Sequence, residues 1–563
     1  MNPTDTFRQA RDLLVKLRTD QPAACAQFRW PQFPDGFNWA SDWFDPMARG
    51  NSRPALRLVQ ESGETKVSFA ELSDRSTRVA SWLRERGVQP GDRVLLMLGN
   101  ALPLWETMLA CMKLGAVVVP TSQQCTPADL TDRIVRGNAR HVLADAAGAE
   151  KFGRTPESNL LRVKLVHGAS AAGWTPFDEA RSGSPALAPH KTKATDPLLL
   201  YFTSGTTAKP KLVLHTHQSY PVGHLSTMYW IGLREGDVHQ NISSPGWAKH
   251  AWSSFFAPWN AGATILMHDT PRFSARAQIQ LMRDAGVNTM CCPPTVWRML
   301  VLEPLGEKPA ALRELVSAGE PLNPEVIEQV HKAWNIWVRD GYGQTETTAQ
   351  VGNAPGGEVK PGSMGRALPG YQVVLLDHEG KEAKEGEVAL RLGAARPVGL
   401  MESYLDDPQR TAAVMAGGYY RTGDEASVDG DGYFTYVGRG DDVFKSSDYR
   451  ISPFELESAL IEHPAVAEAA IVPSPDELRL SVPKAFVVLK PGFAPTADTA
   501  RDILKFVKER LAPYKRIRRI QFAELPKTIS GKIRRVQLRN AEKEQRAHGQ
   551  RGQNEFWLDD FSL

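Results

Sequence analysis

Between residues 68 and 119 the apolar positions switch period twice. Ser68 and Glu71 make the Ser-x-x-Glu opening of a helix over 68–88, and Leu72, Val79, Trp82 and Leu83 fall on one of its faces. A short strand pattern follows at 93–97. A second helical run at 104–114 is then stopped by Gly115, ahead of the β-branched stretch 117–119. Helices alternating with strands predict parallel sheets with helical cover. Beyond Val437 the texture changes, and Gly-Arg-Gly-Asp-Asp at 438–442 reads as a joint. After it, Ser452, Pro453 and Glu455 supply an N-cap, a first-turn proline and a capping-box acid for a helix through Glu462. Strand-like runs at 469–472 and 485–489 precede a helix with Ile503, Leu504, Val507 and Leu511 on one side. The last twenty or so residues, rich in Arg, Glu and Gln, read as a loosely held basic tail, and no internal repeat is seen.

Length and charge narrow this picture. A chain of 563 residues is several times a typical domain, so a large layered body plus a smaller unit is expected. Its 67 basic and 64 acidic residues nearly cancel, which argues against a nucleic-acid binder or a membrane-surface protein held by bulk charge. The local run Lys515, Arg516, Arg518 and Arg519 is suited to a small polyanion, and equally to a solvated turn. Cys25, Cys111, Cys125, Cys291 and Cys292 have neither zinc nor disulfide-framework spacing, which fits a reducing compartment. The N-terminus has no apolar signal core and carries Asp5, Asp12 and Asp20. The longest apolar stretch, 108–120, is interrupted by Lys113 and Gly115 and is too short to cross a bilayer. A cytoplasmic protein is expected.

Four constellations carry candidate chemistry. Residues 201–211, Tyr-Phe-Thr-Ser-Gly-Thr-Thr-Ala-Lys-Pro-Lys, gather hydroxyls and a glycine ahead of two lysines, a composition that can wrap phosphate oxygens. The Walker spacing is absent, and alone the segment also reads as a polar loop. Asp-Gly-Tyr-Gly-Gln-Thr-Glu at 340–346 follows Ala-Gly-Glu-Pro at 318–321; Glu346 offers the hard oxygen that magnesium on ATP requires, and Thr345 a phosphate-binding hydroxyl. Tyr-Arg-Thr-Gly-Asp at 420–424 precedes Gly438 and Arg439, and a carboxylate such as Asp424 is the natural bidentate acceptor for a vicinal diol. Last come 441–450, with Asp441, Lys445, Asp448 and Arg450, and Pro-Lys-Thr-Ile-Ser-Gly-Lys at 526–532.

In this order the four segments resemble the adenylate-forming superfamily of acyl-CoA synthetases, peptide-synthetase adenylation domains and beetle luciferases, over nearly the whole chain. Its signature loop looks like Ser/Thr-Ser-Gly-Thr-Thr-Gly-x-Pro-Lys, and Ala208 replaces a usual glycine. The resemblance implies an α/β fold: a large N-terminal AMP-binding domain, 1–438, of parallel-sheet αβαβα layers with a small β-barrel subdomain, and a small mobile α+β C-terminal domain, 439–563. It further implies nucleotide binding by Thr203, Ser204, Gly205, Thr206, Thr207, Lys211, Gly319, Glu320, Pro321, Asp340, Gly341, Tyr342, Gly343 and Thr345, with the Tyr342 ring on adenine. Asp424 then takes the ribose hydroxyls with Arg439 assisting, Lys445 and Arg450 contact phosphate, Glu346 holds Mg2+ and Asp441 is the hinge. Lys532 is the implied catalytic lysine, with Thr206, Glu346 and Arg450 beside it. A lysine bridging the attacking carboxylate and the α-phosphate stabilises the in-line transition state.

Within the superfamily, Gly-Trp-Ala-Lys-His-Ala-Trp at 246–252 and segment 445–457 look most like medium-chain acyl-CoA synthetases, with Trp247 as a gating aromatic. Gly343 stands where acetate-specific relatives carry a tryptophan, implying room for a longer acid: medium-chain, branched or aryl. Asp448 stands beside the expected CoA tunnel where relatives usually have glycine. The expected activity is an acid:CoA ligase using a carboxylic acid, ATP, Mg2+ and coenzyme A in fatty acid metabolism, with no nucleic acid, no membrane span and an open oligomeric state that includes a homodimer. The alternatives are loading of a carrier-protein thiol and a catalytically silent nucleotide sensor; nothing selects for luciferase-type oxygen chemistry.

Overall fold

A computed structural model describes residues 2–563 except 204–208, 271, 394–395, 447–448, 477–478, 528–531 and 562, with backbone only at 449, 450 and 480. Its residues divide into two compact units, 1–373 with 390–420, and 374–389 with 421–563.

The first unit holds the alternating elements. Helix α1, Phe69–Glu85, begins at a complete capping box in which Ser68 and Glu71 satisfy each other's backbone N–H. Strand β1, Arg93–Met97, leads to helix α2, Leu102–Leu114, which Gly115 ends in the left-handed conformation at φ +69°. Strand β2, Val117–Pro120, lies parallel to β1. Strands β3, Pro197–Thr203, and β4, Lys211–Thr216, extend that eight-stranded sheet, β3 parallel to β2 and β4 antiparallel to β3. Helix α3, His224–Ile231, is buried along its whole length, and a single helical turn, α4, spans Ala248–Ala251. A nine-stranded sheet contains β5, Glu314–Ala318, parallel to β6, Val338–Gly343, with β7, Ala349–Gly352, antiparallel to β6. Both sheets are mostly parallel, as alternation requires, and their strands are near-continuous apolar runs because helices cover them.

In the second unit β8, Tyr419–Val428, whose first two residues belong to the first unit, pairs with β9, Phe434–Arg439, in a five-stranded antiparallel sheet. A short hairpin follows, β10, Phe444–Ser446, with β11, Tyr449–Ile451. Helix α5, Pro453–Ile461, starts where Ser452 accepts the Glu455 N–H. Strands β12, Val466–Asp476, and β13, Leu480–Leu489, form an antiparallel pair on which α6, Ala497–Arg510, buries Ile503, Leu504 and Val507.

The tail departs from expectation. Helix α7, Arg535–Ala547, and strand β15, Glu555–Trp557, are integral to this unit: β15 adds to β14, Arg519–Phe522, at the sheet edge. The charged residues that suggest solvent turn inward. Lys484 is fully buried between Glu542 at 2.5 Å and Glu555 at 3.0 Å, and Arg546 reaches both acids. Arg519, Arg546 and Arg551 lie on the Trp557 ring. The basic run is likewise spoken for in part, since Lys515 pairs with Glu455 at 2.6 Å and Arg519 is buried beside Asp476. Buried charges must be paired, so the partners sixty to seventy residues away draw the end of the chain down.

Candidate functional site

The β3–β4 hairpin sets Thr203 opposite Lys211 in register, so both stand at the mouth of the 203–211 turn. Ser204, Gly205, Thr206, Thr207 and Ala208 lie outside the described residues. The Thr203 Oγ1 is buried and has no hydrogen-bond partner among the described residues. Lys211 places its Nζ 4.0 Å from the Glu346 carboxylate and 5.1 Å from the centroid of the Tyr404 ring. The Tyr404 hydroxyl donates to Glu346 Oε1 at 2.8 Å; burial, then the neighbouring Glu346 charge, holds its pKa well above the phenol range. A cation and a hard-oxygen acid thus converge, and Glu346, only 8% exposed, is fixed by a hydroxyl rather than by solvent.

Thr345 is held through its backbone. The buried His215 contacts the Thr345 carbonyl through Nε2 at 2.7 Å and Ser219 Oγ through Nδ1 at 3.0 Å. A carbonyl can only accept, so Nε2 carries the hydrogen and Nδ1 accepts from the serine. Burial lowers the His215 pKa to about 3, which keeps the ring neutral. Next to it, Tyr420 donates to the Gln344 side chain at 2.9 Å.

The candidate adenine segment is pinned at both ends. Gly319 adopts φ +109°, a conformation glycine alone takes without strain, in the turn after β5. At the far end of the turn the Leu322 N–H donates to Asp340 Oδ2 at 3.1 Å, while Gly341 N–H donates to Oδ1 at 3.0 Å. Burial pushes the Asp340 pKa up to about 7. At the near end, Lys249 of α4 donates to the Ala318 carbonyl at 2.9 Å. Glu320 and Pro321, between these anchors, are part-exposed, as is Tyr342 on β6.

The space beside Gly343 is not vacant. A Cβ there would come within 2.5 Å of the Trp252 ring and 2.3 Å of the Thr348 carbonyl. The volume that glycine releases on the strand is filled in part by Trp252, whose indole N–H donates to Tyr220 at 2.7 Å. An aromatic wall persists, supplied from the end of α4 instead of from β6. Trp247 caps the start of α4 and is half-buried; Gly246 before it is at φ +93°, and a Cβ there would lie 2.5 Å from the Ser122 backbone nitrogen.

In the second unit β8 and β9 set Asp424 directly opposite Arg439. Asp424 is buried, accepts from Tyr436 at 3.2 Å, and lies 3.6 Å from the Arg439 guanidinium, which is 3.7 Å from Asp441. Arg539 of α7 donates to the Asp441 carbonyl at 2.5 Å and reaches the Asp442 carboxylate at 3.3 Å. Lys445 is exposed and faces Arg450 in the β10–β11 register; the Arg450 side chain and all of Asp448 lie outside the described residues. Lys532 is exposed, beside the bridge that joins Lys527 to Ile533.

His215, Tyr404, Lys249 and Tyr436 escape sequence reasoning. His215 and Tyr404 belong to no motif and act on motif residues from distant elements, while Lys249 in the 246–252 segment and Tyr436 on the strand paired with Asp424 lie close to motifs whose spacing does not reveal their contacts.

Residues 45–405 match the model of the AMP-binding enzyme family, and 455–532 that of the AMP-binding enzyme C-terminal domain. The chain is 44% identical to 4-hydroxybutyrate–CoA ligase 1 of Metallosphaera sedula, covering 92% of this chain and 93% of that protein. It is 39% identical to the mitochondrial acyl-coenzyme A synthetase ACSM3 of Mus musculus, over 91% of both. Among solved structures it resembles the anthranilate CoA ligase AuaEII in complex with anthranoyl-AMP, with a TM-score of 0.83 at 28% identity, covering 92% of this chain and all of that one.

Proposed function

Starting from a chain that belongs to the AMP-binding enzyme family and is an ATP-dependent acid:CoA ligase acting through an acyl-adenylate, we propose that its acid is larger than acetate, a medium-chain, branched or aryl carboxylic acid. The likeness to a ligase named for 4-hydroxybutyrate supports this most, for in the structure Trp252, laid against Gly343, already takes part of the space that glycine leaves. A flat aromatic face borders a flexible chain or a planar ring equally well. The relatives named for 4-hydroxybutyrate, and the solved ligase carrying anthranoyl-AMP, bracket the same size range.

In this reading Thr203, Ser204, Gly205, Thr206, Thr207 and Lys211 cradle the phosphates, and 319–321 with 340–343 bracket adenine. Asp424 and Arg439 take the ribose. Glu346 holds magnesium brought in on ATP; the fit rests on its being a carboxylate, a hard oxygen donor, fixed 4.0 Å from a phosphate-directed lysine. The ion supplies charge neutralisation on the phosphates. Lys532 then steadies the approach of the acid carboxylate to the α-phosphate, pyrophosphate leaves, and the thiol of CoA attacks the mixed anhydride and releases AMP. Movement about Asp441, between domains 1–438 and 439–563, would exchange Lys532 for the face bearing Lys445, Asp448 and Arg450. The five cysteines are free, which supports a cytoplasmic setting, and the likeness to acyl-coenzyme A synthetases supports a role in fatty acid metabolism; no helix among the described residues is long and apolar enough to cross a membrane.

The test is a pyrophosphate-release screen over acetate, butyrate, 2-methylbutyrate, octanoate, benzoate and anthranilate, with and without CoA. One of the larger acids should exceed acetate by at least tenfold in kcat/KM, with acyl-CoA formed in the absence of any carrier protein. Acetate as the preferred substrate would overturn the proposed pocket.

A further inference from the structure

Lys249 belongs to the 246–252 segment that carries the acid-side Trp247, yet its side chain reaches the nucleotide surface. Its own element is one helical turn, α4, with Trp247 at the N-cap and Trp252 at the C-cap. These are the aromatics assigned above to the acid side. Its ammonium leaves that turn and donates to the Ala318 carbonyl at 2.9 Å, the last residue of β5 before the Gly319 turn. Burial lowers its pKa, and the neighbouring Cys291, Cys292, Asp340 and Glu320 act against that shift. Asp340 in turn holds the other end of the same turn through the Leu322 N–H at 3.1 Å.

The adenine segment 319–321 is therefore suspended between a lysine carried by the acid-side helix and an aspartate carried by β6. A shift of α4 on seating an acid moves the near anchor of the nucleotide turn, and nucleotide binding that orders the turn restrains α4. Such a link through one charge-assisted hydrogen bond is a coupling free energy, and it acts in both directions. We propose that Lys249 is a positioning residue that couples the acid half-site to the nucleotide half-site, so that each substrate strengthens binding of the other. This rests on the assignment of 319–321 to adenine and of Trp247 and Trp252 to the acid.

The experiment measures pyrophosphate release by the full chain without CoA. The KM for ATP is determined at low and saturating acid, and the KM for acid at low and saturating ATP, in the parent, Lys249→Met and Lys249→Arg. In the parent each KM should fall by about fivefold or more when the other substrate saturates. In Lys249→Met the two KM values should become independent of each other, the KM for ATP should rise by about tenfold, and kcat should change by less than about threefold, with Lys249→Arg restoring part of the interdependence. Equal interdependence in Lys249→Met and the parent overturns the proposal, as does a parent in which the two KM values are independent. A parent that releases no pyrophosphate with any acid instead sinks the ligase reading on which it stands. Should Lys249→Met lose its native melting transition, Lys249→Leu, which likewise has no donor, is read by the same two outcomes.

Discussion

At the scale of single residues, the proposed chemistry divides between exposed groups and buried ones. Lys532 is exposed, and its effect should be chiefly on rate. Lys532→Ala should lower acid-dependent pyrophosphate release by about 10²–10³-fold, the usual cost of one aimed donor, while leaving the melting temperature unchanged. Asp340 behaves oppositely. Its pKa is pushed up to about 7 in the folded protein by burial, above its ordinary value near 3.8. The native state thus binds a proton more tightly than the unfolded chain does. The stability this confers is complete below about pH 4 and declines until about pH 7, where it is lost. Asp340→Asn, which keeps one acceptor for the two backbone N–H groups, should flatten that decline; denaturant midpoints at pH 5 and pH 8 for both proteins measure it.

At the scale of elements, the signals that sequence carries best are those closed within a few residues. Ser68 with Glu71, Gly115 at the end of α2, and Ser452 ahead of α5 all act where their local chemistry places them. What local chemistry could not supply is the fate of the last residues. An Arg- and Glu-rich stretch reads as solvated until one knows that Lys484, on the central strand β13, is buried with no carboxylate nearby in sequence. The same blindness affects the site: the turn at 203–211 and the acid at Glu346 are visible as motifs, whereas Tyr404 and His215, which fix Glu346 and Thr345, are recognisable only once β4 and the 345–346 backbone are side by side. Trp252 shows a third limit. Glycine at 343 implies a vacancy if one strand is read alone, and a neighbouring helix end fills it in part. The tail network makes a stability prediction: Glu542→Ala leaves Lys484 and Arg546 short of a buried partner and should cost about 3–5 kcal/mol in denaturant unfolding of the second unit.

At the scale of the whole molecule, two reactions are asked of one chain, and the proposed joint at Asp441 separates them. Arg539 on α7 grips that position by its backbone carbonyl and the next residue by its carboxylate. Asp441→Pro fixes φ near −65° at the joint. It should leave pyrophosphate release within a few-fold of the parent and reduce acyl-CoA formation by at least about tenfold, measured as the ratio of the two products in single turnover. Equal loss of both would place the joint elsewhere.

The strand Glu555–Trp557 carries a consequence for biosynthesis. It lies some seventy residues beyond Lys484, yet it completes the sheet edge and, with Glu542, neutralises that lysine. Chains fold as they emerge, N-terminal units first. The first unit can settle during translation, but the unit bearing Lys532 cannot reach its final form until synthesis has passed residue 557. A polypeptide that stops short of residue 557 would carry Lys532 in a unit whose sheet edge is open and whose buried Lys484 lacks one of its two acids.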